Sequence, residues 1–226
     1  MITPEHDQTE THDPVPLDVQ YSLDRAHERL IEEFAGTFGR ETVRQLLDHS
    51  YATLSARARV PQFVPLLAEK FARQRMQASS HRRTGDERTA VLFLCVHNAG
   101  KSQMALGLFE KYAAGRALAW SGGSEPGAEI NPDAVAAMAE IGIDITGEFP
   151  KPWTEETLRA ADVIVTMGCG DACPVYPGKR YLDWTFEGDL SGAAGARNAR
   201  DQIEARVLGL LGELGLEVAG RESATV

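Results

Sequence analysis

The sequence has no apolar run approaching the ~20 residues that a membrane-spanning helix needs. Its first twenty residues contain acidic side chains and prolines, with no basic segment leading into an apolar one, so we expect no signal peptide. Only 3 cysteines occur in 226 residues, an odd number and too few for a disulfide scaffold. These absences predict a cytoplasmic chain with no membrane partner, whose thiols serve chemistry rather than structure.

Positive charge is scarce and unevenly placed. The formal net charge is −10, and residues 1–21 hold five acidic side chains and no Lys or Arg. From Thr89 onward there are 11 basic and 19 acidic side chains. Such an excess of negative charge repels phosphate backbones, so we expect no nucleic-acid partner. It also repels free oxyanions, so an anion site here depends on backbone amides and a local cation.

The N-terminal third divides into a tail, a helical domain and a linker. Residues 1–21, rich in Pro, Thr and Asp, predict a disordered acidic tail. Residues 22–78 predict a three-helix domain, with Ser22 as the first N-cap, and the polar residues 79–88 predict a linker. Helices this short leave apolar surface to cover, so we expect docking or a homodimer through this domain. Its predicted core residues, at helical spacing, include Leu23, Ala26, Leu30, Val43, Leu47, Leu66, Leu67, Phe71 and Met76.

After the linker, over residues 89–226, strand and helix patterns alternate, which is typical of an α/β protein with a parallel sheet. Helices are predicted after the first strand, from Pro132 with Asn131 as N-cap, after Thr154, and over residues 198–214. The predicted fold is a three-layer parallel α/β sheet preceded by a small all-α domain. The three predicted strands are residues 89–94, 117–121 and 162–167.

The first strand runs directly into Cys95-Val96-His97-Asn98-Ala99-Gly100-Lys101-Ser102, and a helical pattern follows. A glycine-bearing loop at a helix start surrounds an anion with N–H groups, and the helix dipole adds positive potential. Gly100 is expected to take a backbone conformation that residues with a Cβ resist. Because the same field favours a thiolate, the loop predicts an oxyanion site with Cys95 as its nucleophile. A buried structural cysteine is the alternative.

The other two thiols lie in Cys169-Gly170-Asp171-Ala172-Cys173-Pro174, just after the third strand. Parallel strands end at one edge of a sheet, so Cys95 and Cys169 are expected to share a site. In a helical turn, Cα atoms four residues apart lie about 6 Å apart, within disulfide range. This arrangement suits a relay that passes a disulfide outward. Zinc is the alternative, but a CxxxC spacing without a nearby His favours no metal.

The loop CVHNAGKS, the stretch NPDAVAAMAEIGIDITGEFPK and the segment CGDACPVYPGKRYLDW occur in that order. Through them the sequence resembles the low-molecular-weight protein tyrosine phosphatase superfamily over roughly residues 89–216, and within it the thioredoxin-coupled arsenate reductases of actinobacterial type. The resemblance implies that Cys95 attacks arsenate and that Cys169 then forms a disulfide with Cys95, releasing arsenite. It implies that Cys173 takes over this disulfide, that thioredoxin reduces it, and that no cofactor is bound.

The resemblance also assigns roles within the loop and to an acidic residue after it. Asn98 would hold the loop in shape, and Ser102 would donate to the Cys95 thiolate. Asp189 matches the family's general acid. The family has Asp-Pro at that point, whereas Leu190 follows here, so Glu187 is an alternative acid.

Lys101 departs from the family pattern, in which the loop ends in Arg-Ser. The guanidinium group of Arg binds two oxygens of a tetrahedral anion at once, whereas Lys offers a point charge. We therefore expect weaker oxyanion binding and poor phosphatase activity. Three other functions stay open: reduction of arsenate by a small thiol such as mycothiol, a phosphatase, and a redox or arsenic sensor with the helical domain as effector.

Overall fold

The computed structural model describes residues 15–58, 60–81, 83–168, 175–188 and 191–219. Within these ranges none of the helices combines the length and apolar character needed to cross a membrane. The helices are α1 (Leu17–Glu33), α2 (Arg40–Ser55), α3 (Val64–His81), α4 (Lys101–Ala113), α5 (Pro132–Ala139), α6 (Glu155–Ala160) and α7 (Gly192–Glu213). The strands are β1 (Ala90–Cys95), β2 (Leu118–Gly123), β3 (Val163–Thr166) and β4 (Arg180–Asp183).

Helices α1, α2 and α3 form the helical bundle. Its core holds most of the residues that the helical spacing predicts, and Leu30, Val43 and Leu47 are fully buried in it. Two small residues of α3, Ala68 and Ala72, complete the same cluster. The apolar faces of α1 and α2 therefore pack inward as the helical spacing predicts.

The start of α1 corrects two predictions. The helix begins at Leu17, so residues 1–21 are not a disordered tail from that residue onward, and Ser22 is not the N-cap. Pro16 takes that position, with a φ of −53° and no side-chain hydrogen bond to the helix. The Ser22 hydroxyl instead donates to a backbone carbonyl one turn earlier. The tail residues through Pro14 lie outside the described residues.

The phase of α3 corrects a third prediction. Leu66 is predicted to be in the core, but its side chain is 64% exposed, whereas Ala68 and Ala72 are buried. A short 3-10 turn, Pro61–Phe63, precedes the helix, so the α-helical repeat starts only at Val64. The inward face of α3 therefore carries Ala68, Ala72 and Met76 rather than Leu66.

The predicted linker 79–88 is wrong at its beginning, because α3 continues to His81. The His81 side chain is buried, and its ring meets Trp120 of β2 edge-on with 6.3 Å between centroids. Ala78 joins the apolar cluster that covers this face of the sheet. Together with α6, α3 thus forms a layer on the sheet, and the helical bundle is not tethered by a free linker.

The four strands form one parallel sheet in the order β2-β1-β3-β4. Every residue of β1 is buried, since α4, α5 and α7 cover one face and α6 and α3 the other. Cys95 pairs with Gly123 of β2, and Leu94 pairs with Thr166 of β3. The predicted three-layer parallel fold with an N-terminal helical region is confirmed.

Candidate active site

The nucleophile loop, Cys95–Ser102, joins β1 to α4 at the carboxyl edge of the sheet, where open α/β folds bind ligands. Cys95 is the last residue of β1, and Gly100 is the N-cap of α4. The end of β2 packs closely on the loop: a Cβ on Gly123 would lie 2.5 Å from the Val96 carbonyl oxygen. Only glycine fits at that point, so the sheet itself helps to hold the loop.

The Cys95 sulfur is buried, and two polar groups of the described residues contact it. It accepts a hydrogen bond from the backbone N–H of Asn98 at 3.2 Å. The Ser102 hydroxyl lies 3.0 Å from the same sulfur. Both groups can donate to a sulfur anion, and donation to a charged acceptor is the stronger kind of hydrogen bond. The geometry therefore suits a thiolate nucleophile.

Asn98 is the residue on which the loop conformation depends. It has a φ of 47°, a left-handed conformation that Asn tolerates better than most residues. Its side chain is fully buried and donates through Nδ2 to the Ser102 hydroxyl at 2.9 Å. Gly100, where a conformation that residues with a Cβ resist is expected, has a φ of −142° and a ψ of −89°, outside the regions that such residues commonly occupy.

Two residues that fix Asn98 were not predicted from the sequence. The buried Gln103 side chain donates to Asn98 Oδ1 at 2.9 Å and to the Phe149 carbonyl at 3.0 Å. The backbone N–H of Lys151 also donates to Asn98 Oδ1, at 3.0 Å. The sequence signal for Gln103 is that it is a polar residue in the buried first turn of α4. The signal for Lys151 is its position between Pro150 and Pro152: proline has no N–H, so Lys151 supplies the sole backbone donor of these three residues.

The Lys151 side chain is also buried behind the loop. It is 1% exposed, and its ammonium lies 3.2 Å from Glu148 Oε2. Burial lowers the pKa of Lys151, and Glu148 opposes that shift. Burial acts to raise the pKa of Glu148, but Lys151 and Lys70 outweigh it, so the pKa of Glu148 lies below its ordinary value. The pair therefore joins a buried ammonium to a largely buried carboxyl, 3.2 Å apart.

A cavity of about 380 Å³ opens in front of the nucleophile loop. It is large enough for a tetrahedral oxyanion, and Cys95 and Lys101 both line it. Gly168, the last described residue before Cys169, lines it as well. The other lining residues are Val96, His97, Ala99, Gly100, Met104, Asn131, Ala134, Met167, Ala196 and Ala199.

Lys101 and His97 of the nucleophile loop differ in placement. Lys101 is half-buried, and its ammonium lies 5.0 Å from the centroid of the Phe186 ring, at the side of the cavity. The His97 ring is exposed, and its Nδ1 lies 3.1 Å from the carbonyl oxygen of Glu125. Lys101 thus places a cation beside an anion that enters the cavity, while His97 contacts the neighbouring turn.

The distal thiols and the general acid predicted from the sequence, Cys169, Cys173 and Asp189, lie outside the described residues. Glu187, the alternative acid, is exposed, and its backbone N–H donates to the Gln202 side chain at 3.1 Å. Within the described part of the chain, no group of three or more His, Cys, Asp or Glu side chains could hold a metal ion.

Two families match the chain. Low molecular weight phosphotyrosine protein phosphatase matches residues 90–176, which include the nucleophile loop, and Protein-tyrosine-phosphatase-like, N-terminal domain, matches residues 23–80 in the helical bundle. The arsenate reductase of Halalkalibacterium halodurans is 38% identical over 129 residues, spanning 52% of this chain and 91% of that protein. The chain belongs to the low molecular weight phosphotyrosine protein phosphatase family, as the resemblance of its motifs indicated.

Two further relatives are arsenate reductases whose names include a protein reductant. The solved structure of the Corynebacterium glutamicum thioredoxin-dependent arsenate reductase is 37% identical, with a TM-score of 0.76. That match covers 85% of this chain and 96% of the other, so it includes the helical bundle. The glutaredoxin arsenate reductase of Synechocystis sp. is 32% identical over 128 residues, spanning 55% of this chain and 97% of that protein. The relatives' names thus cite two different protein reductants.

Proposed function

We propose that this chain is an arsenate reductase that uses thioredoxin as its reductant. The observation that carries the proposal is the Cys95 sulfur, which contacts the Asn98 N–H and the Ser102 hydroxyl and lines a cavity that admits an oxyanion. The thioredoxin-dependent arsenate reductase of Corynebacterium glutamicum, matched over 96% of its chain, supports both the substrate and the reductant.

In the first step, the Cys95 thiolate attacks the arsenic atom of arsenate. A sulfur–arsenic bond forms, and one arsenate oxygen leaves as water after it is protonated by Asp189. The backbone amides of the loop and the ammonium of Lys101 hold the remaining oxygens. Arsenic is still in the +5 state at this point.

In the second step, the Cys169 thiolate attacks the Cys95 sulfur. A disulfide forms while the sulfur–arsenic bond breaks, and the electron pair of that bond stays on arsenic, which leaves as arsenite in the +3 state. Cys173 then attacks Cys169, forming the Cys169–Cys173 disulfide and releasing the Cys95 thiolate. The two thiols of thioredoxin reduce this last disulfide, so the electrons need no bound cofactor.

The test follows arsenite formation with thioredoxin, thioredoxin reductase and NADPH. Full-length protein is expected to turn over many times, Cys173→Ser about once, and Cys95→Ser not at all. Parallel assays replace thioredoxin with mycothiol or with glutathione and glutaredoxin. Multiple turnover of Cys173→Ser with a small thiol would overturn the thioredoxin relay while leaving arsenate as the substrate.

A phosphatase is the second candidate, since the matched family carries that name. Lys101 disfavours it, because a point charge holds two phosphate oxygens less well than a guanidinium group. A chromogenic phosphoester assay on reduced protein distinguishes the two. Phosphate release at a kcat/KM above that for arsenate reduction would favour the phosphatase.

The homodimer stays a prediction. The helical bundle exposes Leu17, Tyr21, Phe63 and Leu66, four large apolar side chains that a second copy would cover. Light scattering of full-length protein coupled to size-exclusion chromatography distinguishes a monomer from a dimer.

A further inference from the structure

The segment Phe149–Lys151 lies between the nucleophile loop and the helical bundle. On its inner side, the Lys151 N–H and the Phe149 carbonyl hold Asn98, directly and through Gln103. On its outer side, the Phe149 ring meets Phe71 of α3 edge-on, with 6.4 Å between centroids. One short segment thus touches both the bundle and the residue that shapes the loop.

Lys70 of α3 adds polar contacts to the same segment. Its ammonium donates to the Gly147 carbonyl at 2.7 Å and to Glu148 Oε1 at 2.6 Å. The other carboxylate oxygen, Oε2, accepts from the Lys151 ammonium at 3.2 Å. A continuous polar chain therefore leads from Lys70 through Glu148 to Lys151, whose backbone N–H is bonded to Asn98.

The inner part of this polar chain is largely withdrawn from water. The Lys151 side chain is 1% exposed and that of Glu148 19% exposed. Glu110 faces the same group: burial raises its pKa, and the charge of Glu148 adds to that shift.

Removing one partner of a buried pair is strongly destabilising, because it leaves the other uncompensated. Loss of the Glu148 carboxylate leaves Lys151 without that partner. Loss of Lys70 removes the donor to both Gly147 and Glu148. Either change would therefore loosen the segment that holds Asn98.

We propose that Lys70 and Glu148 are positioning residues for Cys95. Through them the helical bundle holds Phe149–Lys151 in place, that segment fixes Asn98, and Asn98 places the donors around the Cys95 sulfur. The bundle thereby sets how well the nucleophile loop stabilises a sulfur anion. This role is independent of which oxyanion enters the cavity, so it stands apart from the proposed reduction of arsenate.

The test is the pH dependence of iodoacetamide alkylation in full-length protein carrying Cys169→Ser and Cys173→Ser, in which Cys95 is the remaining thiol. Lys70→Gln and Glu148→Gln are each expected to slow alkylation at pH 7 about 3- to 10-fold. The midpoint of the pH–rate profile is expected to rise by about 0.5 to 1 pH unit, since displaced donors stabilise the anion less. Lys70→Arg keeps the cation and is expected to retain the original profile.

Arg73→Gln is the matched control on the same helix, because Arg73 pairs with Glu33 at 2.7 Å and Glu69 at 2.9 Å inside the bundle. It is expected to lower the melting temperature without moving the profile. Melting curves for every variant separate stability from loop geometry. The positioning role is overturned if Lys70→Gln and Glu148→Gln leave the profile unchanged, or if Arg73→Gln shifts it as far as they do.

Discussion

The backbone N–H of Lys151 donates to the side-chain oxygen of Asn98 across 53 positions of sequence, at 3.0 Å. Asn98 in turn donates its own N–H to the Cys95 sulfur. The strained φ of Asn98 is therefore held from outside the loop, by bonds that are fully buried. The nucleophile depends on a residue that touches neither it nor the cavity.

Asn98→Ala and Asn98→Gly test this strain. Both variants lose the side-chain bonds to Ser102, Gln103 and Lys151, but only glycine adopts a φ of 47° without cost. We expect Asn98→Ala to be less stable than Asn98→Gly by about 1 kcal/mol in urea unfolding. Both are expected to lose roughly 10- to 100-fold in kcat/KM for arsenate. Equal stabilities would show that the left-handed backbone carries no strain.

Lys101→Arg is expected to bind oxyanions more tightly, because a guanidinium group can hold two oxygens at once. The KM for arsenate and the inhibition constant of phosphate are each expected to fall by about 3- to 10-fold, the effect of one added charge-assisted hydrogen bond. Lys101→Met serves as the opposite control and is expected to raise both constants. An unchanged KM in Lys101→Arg would mean that Lys101 does not contact the anion.

Leu30→Ala and Leu66→Ala form a matched pair for the core of the helical bundle. Leu30 is fully buried, whereas Leu66 is 64% exposed. We expect the first substitution to reduce the free energy of unfolding by about 2 to 5 kcal/mol. The second is expected to change it by less than about 0.5 kcal/mol. A large loss at Leu66 would point to an interface that covers it, such as a homodimer.

Glu69 makes the stability of the bundle depend on pH. Burial acts to raise the pKa of Glu69, but hydrogen bonds from Arg29 and Arg73 outweigh it, so the pKa lies below its ordinary value of 4.5. A carboxyl group with a lowered folded-state pKa stabilises the fold above its unfolded-state pKa. That contribution is lost as pH falls through the folded-state pKa.

We therefore expect Glu69→Gln to be less stable than the original chain at pH 7 by about 1 to 2 kcal/mol. The difference is expected to begin shrinking as pH falls below 4.5, and to disappear only once pH has passed the lowered folded-state pKa, where the carboxyl is protonated and resembles the amide. Chemical unfolding at pH 7 and pH 3 measures it. Glu28→Gln is the control, because the Glu28–Arg40 pair is exposed and contributes little. If the stability difference between Glu69→Gln and the original chain were the same at both pH values, the lowered pKa of Glu69 would be contradicted.

The fold could be predicted wherever strands are buried on both faces. The runs in β1 and β3 are continuously apolar because helices cover both sides of them. The edge strand β4, Arg-Tyr-Leu-Asp, is partly exposed and only 4 residues long, so no such run marks it. Helix α7 begins at Gly192, whereas the sequence predicted a start near residue 198. Its first turns were missed because they are rich in Gly and Ala and show no apolar periodicity.

The site could be predicted where it is local in sequence. Cys95, Asn98 and Ser102 lie within one strand–loop–helix unit, and their contacts follow from that unit. Lys151 lies 53 positions from Asn98 and contacts it only in the folded protein. Its bond to Asn98 uses the backbone N–H, so the type of side chain at position 151 does not indicate it. The contribution of the bundle through Lys70 is of the same kind, since it joins residues 78 positions apart.

The end of α3 packs against Trp120 of β2, so this end of the helix cannot complete its packing until β2 has been synthesised. The three bundle helices leave the ribosome before any strand, yet the flank of α3 that carries Ala78 and His81 has nothing to rest on until β1 and β2 have emerged. In the nascent chain the last turn of α3 therefore stays exposed to solvent, and it packs only after the sheet has formed. A stalled or truncated polypeptide ending before Trp120 would expose that flank to aggregation.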